Sequence, residues 1–332
     1  MRKWLILALV AVALAAVLLL PHIHRAPERG VEPRGVRVYI GSVIRPAFYV
    51  AVVVDGRTVY RDEMRSFTSG GIDYLRNTLT TWRTYTLSSD PAGYPKGTRM
   101  IVGHSAGTST SSLSRSYAWN DTHIWVIFTG TFTADTAITL KWVALQYVDY
   151  NNAWRTVTND TLSVNVPAGS TYTIQIWLIW QDNGILTANW AKVFSAHIPY
   201  QFPVTESVVN TAGATGLYGI VSGPGYSWQA PYTSMDRTVR MYLACGTGSA
   251  AQSRNSYALA NKVERYPVSV SQTGSGVSVA ATVARDCTEV GLELDYYDFS
   301  AGTTRTVLVL RWVTNIPANT PVTFYILPPP GG

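Results

Sequence analysis

The chain has 332 residues, of which 47% are hydrophobic and only 14% charged, against roughly 25% charged in ordinary soluble domains. That balance excludes an intrinsically disordered chain, which needs low hydrophobicity and high net charge. The formal net charge is +6, but the basic residues are scattered in no run of five or more. A nucleic-acid binder needs them clustered, so no nucleic-acid partner is expected.

Arg2 and Lys3 precede an unbroken apolar run from Trp4 to Leu20. As a helix this run spans about 26 Å, just under the roughly 30 Å hydrocarbon core of a bilayer. A positive start before such a run is an export signal. Residues 1–21 therefore read as a signal peptide or as an N-terminal hydrophobic anchor helix, holding the membrane through residues 4–20 if uncut. Either fate sends the rest to the cell surface or beyond it. Residues 22–35 are polar, hold two prolines and read as a tether.

Val36, Val38 and Ile40 then alternate, and Phe48, Val50, Val52 and Val54 continue the apolar phase. We read 36–54 as an N-terminal strand, closed by Asp55-Gly56, a strong hairpin signal between apolar strands. Ile72, Leu75, Leu79 and Trp82 recur at helical spacing and predict one short helix. Later segments alternate with period two. Ile138, Leu140 and Trp142 should share a face, as should Tyr172, Ile174, Ile176 and Leu178. Thr306, Leu308, Leu310 and Trp312 do likewise, but Val307 and Val309 make that strand apolar on both faces. Such a strand belongs inside a multilayer or a subunit contact.

The chain also resembles itself. Arg99-Met100-Ile101-Val102 matches Arg240-Met241-Tyr242-Leu243, and Ser116-Tyr117-Ala118 matches Ser256-Tyr257-Ala258. Asp149-Tyr150 matches Asp298-Phe299, and Val166-Pro167-Ala168-Gly169-Ser170 matches Ile316-Pro317-Ala318-Asn319-Thr320. The order is kept at a near-constant offset, as in a duplicated unit. The predicted fold class is all-β: two tandem antiparallel β-sandwich domains, 36–200 and 201–332, with one short helix, behind the hydrophobic N-terminal helix.

Chemistry-bearing motifs are few. Cys245 and Cys287 fall in or beside predicted strands and, outside the cytosol, read as a disulfide; two lone thiols are the alternative. Asn120-Asp121-Thr122 and Asn159-Asp160-Thr161 are acceptor sequons for glycosylation at Asn120 and Asn159. Gly103-His104-Ser105-Ala106-Gly107 fits the G-x-S-x-G nucleophile elbow, with Asp149, Asp160, Asp182 and His197 following in hydrolase order. But Thr108 to Ser112 is a poor helix start, and the alternating strand–helix pattern of a parallel sheet is missing. No metal-ligating or phosphate-cradling set stands out, and no cofactor is expected. Trp119, Trp125, Trp142, Trp154, Trp177, Trp180, Trp190 and Trp228 crowd the middle of the chain. Exposed, they would form a platform for sugar rings; Trp142 and Trp177, in alternating strands, read rather as buried in the core or an interface.

The anchor-like start, the tandem Ser/Thr/Tyr-rich sandwiches and the low charge resemble archaeal extracellular filament and surface-layer proteins, and the fibre or spike proteins of archaeal viruses. That resemblance implies a non-enzymatic structural protein that self-assembles as a filament, pilus-like fibre or surface layer. It also implies donor-strand complementation, with Val36, Val38, Ile40, Phe48, Val50, Val52 and Val54 as the donor. The alternatives are a glycan-binding adhesin and a secreted serine hydrolase.

Overall fold

The computed structural model of the chain describes residues 40–64, 66–73, 75–76, 97–111, 113–148, 153–196, 204–220, 240–273, 276–298 and 300–327. The expected leader, the tether, Val36 and Val38 lie outside them. Among the described residues no helix is long and apolar enough to cross a membrane.

The described fold is all-β with two short helices. Its largest sheet runs in the order β15 (Ser269–Thr273), β16 (Gly276–Val283), β19 (Thr320–Ile326), β1 (Ile40–Val54), β10 (Thr171–Gln181), β7 (His123–Thr133), β6 (Leu113–Trp119). A side branch, β2 (Arg57–Glu63), pairs with β1. A second sheet runs β3 (Ser66–Phe67), β9 (Trp154–Val166), β8 (Ile138–Val148), β4 (Gly97–His104), β5 (Gly107–Ser111). A third runs β14 (Lys262–Pro267), β13 (Arg240–Gly246), β17 (Cys287–Asp298), β18 (Thr303–Ile316). A hairpin of β11 (Val204–Val209) and β12 (Thr215–Ile220) completes the set.

Counted from β4 and from β13, the two halves repeat one strand order. The first half has β9-β8-β4-β5 in one sheet and β10-β7-β6 in another; the second has β18-β17-β13-β14 and β19-β16-β15. Even the turns correspond. Gly169, entering β10, has φ 78°, and Asn319, entering β19, has φ 59°. Both occupy the left-handed region, which Gly and Asn tolerate best.

β1 belongs to neither set. It runs antiparallel to β10 over Arg45–Val54 and parallel to β19 over Ile40–Ile44, so it joins the two half-sheets. Asp55 (φ 46°) and Gly56 (φ 79°) then turn the chain into β2, with the positive φ at both positions that the tight hairpin turn demands. The Asp55 carboxylate also accepts from the Ser170 hydroxyl at 2.8 Å and the Thr171 N–H at 3.2 Å.

Alternation fills the core. Ile124, Val126 and Phe128 of β7, Ile174 and Ile176 of β10, and Val50 and Val52 of β1 are all essentially inaccessible; burying a side chain of this size stabilises by about 1.5–3 kcal/mol. Gly130 of β7 faces the sheet opposite: a Cβ there would lie 3.1 Å from the Met100 sulfur of β4. In the second half Trp312 of β18 meets Phe324 of β19 edge-on at 6.0 Å. Val307, Leu308, Val309 and Leu310 are buried on both faces of β18. The outer cover comes from this chain itself: Leu308 packs with Ala244 and Leu259, while Leu186 and Asn210 bridge to Leu310 and Val307.

Two sequence expectations change. Ile138 and Leu140 face inward, but Trp142 is 37% exposed. A register shift in the β8–β9 pairing between Leu140 and Trp142 resets the phase, and Val143 and Leu145 point in instead. The expected helix is present over residues 69–73 and 75–76, burying Ile72 and Leu75; Leu79 and Trp82 lie outside the described residues. A second helix, Ala188–Ala196, was not expected. Nine residues make a marginal helix alone. This one is held by burial of Trp190, Ala191 and Val193, and by the Asn189 amide, which donates to the Val209 and Leu308 carbonyls at 2.9 and 3.2 Å.

Candidate functional site

β1 carries Ile40, Phe48, Val50, Val52 and Val54, and the last four are buried in the core. The strand's edges are occupied within the chain: β10 on one side, β19 and then β2 beside its other stretches. Its alternate residues look outward and, with their neighbours, form cross-strand rows. Arg45 lies beside Gln181 and His123, Ala47 beside Ile179 and Trp125, and Glu63 beside Tyr49, Trp177 and Ile127. Ala47 is small, so the middle row sinks below its neighbours, and a groove of about 400 Å³ opens over it.

The groove's floor is apolar and its rim polar. Ala47 and Ile179 form the floor, and Trp125 stands at one end with the His123 ring stacked on it at 6.1 Å. The Tyr49 phenol bonds to the Glu63 carboxylate; burial, and then that negative charge, push its pKa up. Arg61 lies 5.6 Å from the Trp177 ring centroid. Arg45 makes no ion pair or hydrogen bond among the described residues. The arrangement offers stacking faces, donors and a free cation. Sequence reasoning missed it, because its residues come from the β1–β2 hairpin and from β7 and β10, which lie far along the chain from that hairpin.

The other tryptophans part ways. Trp180 and Trp190 are core residues, packed edge to face at 5.3 Å. Trp177 is half-buried on the outer face, not in the core. Trp142 and Trp154 are exposed on the second sheet, where the Arg99 guanidinium lies 3.8 Å over the Trp154 ring. Trp119 stacks on Tyr117 at 6.1 Å, and Trp228 lies outside the described residues.

The G-x-S-x-G segment is a hairpin: β4 ends at His104, Ser105 and Ala106 form the turn, and β5 begins at Gly107. A strand, not a helix, follows the serine. The Ser105 hydroxyl accepts from the Thr139 N–H at 3.0 Å, which ties the turn to β8. His104 Nε2 bonds Ser109 Oγ at 3.0 Å. Gly103 is needed for packing, since the Trp142 indole covers the place a Cβ would take. Asp160 bonds the adjacent Thr161 N–H, and Asp182 is buried against Arg254. Asp149 and His197 lie outside the described residues.

Cys245 and Cys287 are joined, their sulfurs 2.06 Å apart and both side chains buried. Asn120 sits in the exposed turn between β6 and β7, its side-chain oxygen accepting from the Thr122 and His123 N–H groups. Asn159 is exposed on β9. Among the described residues no group of three His, Cys, Asp or Glu could hold a metal ion. No protein-family model, curated protein or solved structure matches the chain.

Proposed function

We propose that the chain is a non-enzymatic structural protein of the cell exterior, exported through residues 1–21. It comprises two diverged β-sandwich copies, 36–200 and 201–332, and assembles through β1 into a filament, a pilus-like fibre or a surface layer. The repeated strand order of the two halves supports the duplication. The observation that carries the assembly is the seat of β1. An apolar strand of the first copy, with no counterpart in the second copy's strand order, fills the slot between β10 and β19.

The physical route is exchange. A strand that fills this slot in its own chain fills the same slot in a second copy with identical contacts, main-chain bonds giving affinity and alternate side chains register. Exchange therefore costs little contact energy. It carries the β1–β2 hairpin across as a unit, since Tyr49–Val54 pairs with Glu63–Arg57. Passed head to tail from copy to copy, with a rotation that does not close a ring, the exchange propagates a fibre.

The test fixes β1 in its own slot. Ala51 and Gln175 are cross-strand partners in the β1–β10 ladder, so Ala51→Cys with Gln175→Cys permits a covalent lock. Oxidised before assembly, this variant should remain monomeric; reduced, it should form filaments visible by electron microscopy. Oxidation after assembly should then link chain to chain, giving a ladder on denaturing gels. Fibres growing unimpeded from fully locked monomers would exclude strand exchange.

A further inference from the structure

The groove on the outer face of β1 has a shape and chemistry that assembly through the strand's buried face does not use. Its floor is the depression over Ala47, with Ile179 beside it and Trp125 at one end. Adjacent strands lie about 4.8 Å apart, so floor and end wall together match one small flat ring. A ligand here must present an apolar face to Trp125 and Ile179 and polar edges to the rim. Pyranose sugars have that construction: C–H groups on one face, hydroxyls around the edge.

The charges narrow the class. Of the two guanidiniums on the rim, Arg61 sits near the Trp177 ring and the Tyr49–Glu63 pair. Arg45, on the other side of the floor and beside Gln181 in register, has no partner among the described residues. An unpaired guanidinium next to a hydrogen-bonding amide is suited to a carboxylate, which it binds with two parallel N–H bonds. We infer that this groove binds a carboxylated pyranose, a uronic acid residue of an acidic polysaccharide, stacked on Trp125 with its carboxylate on Arg45.

Titration calorimetry of the full-length protein with oligosaccharides of galacturonate, mannuronate, guluronate and glucuronate tests this. At least one should bind, and its methyl ester should bind at least tenfold more weakly. Arg45→Gln should erase the difference between acid and ester. Ala47→Trp should fill the floor and abolish binding while leaving the melting temperature and circular dichroism unchanged. Absence of binding across the panel, equal binding of acid and ester, or unaltered affinity in folded Ala47→Trp would each overturn the assignment. These results are independent of strand exchange, which is read by filament formation.

Discussion

Arg254 and Asp182 form a buried two-pronged ion pair, Nη1 to Oδ2 at 2.5 Å and Nη2 to Oδ1 at 2.7 Å. Asp182 follows β10 in the first half, and Arg254 lies in the loop between β13 and β14 of the second. Arg254 also donates to the carbonyls of Asn120 and Leu186, and Asp182 accepts the Leu186 N–H. One guanidinium thus fastens three segments that the chain separates widely.

Removing one partner strands the other charge in a buried setting. Arg254→Met should therefore lower unfolding free energy by about 3–5 kcal/mol in urea titrations. The double variant Arg254→Met with Asp182→Leu should be more stable than Arg254→Met alone, because no orphan charge remains. A double variant no better than the single would show that the backbone bonds, not the charges, carry the contact.

The Cys245–Cys287 bridge closes a loop with a sequence separation of 42. Loop-closure entropy alone assigns such a bridge about 4 kcal/mol. Reduction, or Cys245→Ala with Cys287→Ala, should shift the denaturation midpoint down by a corresponding amount. The loss should be similar in the two cases, since both release the same unfolded chain; a much larger loss on alanine substitution would measure cavity cost instead.

Acid should loosen the second half through Asp298. Burial acts to raise the pKa of this carboxyl, but bonds from the Ser300 hydroxyl and the N–H groups of Leu217, Ser300 and Ala301 outweigh it and hold the pKa below its usual value. A folded-state pKa below the unfolded one gives stability that is present above about pH 4 and is lost as pH falls through the folded value. Asp298→Asn should flatten this acid limb when stability is followed by urea titration from neutral to low pH. An unchanged acid slope would assign the limb to other carboxylates.

Local pattern made much of this fold readable. Tyr172 to Leu178 alternates because one face of β10 is core, and Asp55-Gly56 turns because few other pairs adopt positive φ twice. The matching strand order of β4–β10 and β13–β19 left a trace in the sequence through corresponding turn residues such as Gly169 and Asn319. Trp142 was misplaced because the bulge between Leu140 and Trp142 has no composition of its own. The helix at Ala188–Ala196 was missed because its stability lies in Asn189 and Trp190 meeting distant strands. The groove was invisible for a related reason: alternation tells which residues of β1 face out, but only the register with β10 and β7 brings Ala47, Ile179 and Trp125 together.

The placement of β1 also has a mechanical meaning. Tension on the chain ahead of Ile40 enters the fold lengthwise along this strand, which lies flush against β19 over Ile40–Ile44 and against β10 over Arg45–Val54. Pulled in that direction, the flanking ladders are loaded in shear, so many bonds must slip together before any one lets go. A hairpin opened from its free end yields one rung at a time; this seam resists as a block.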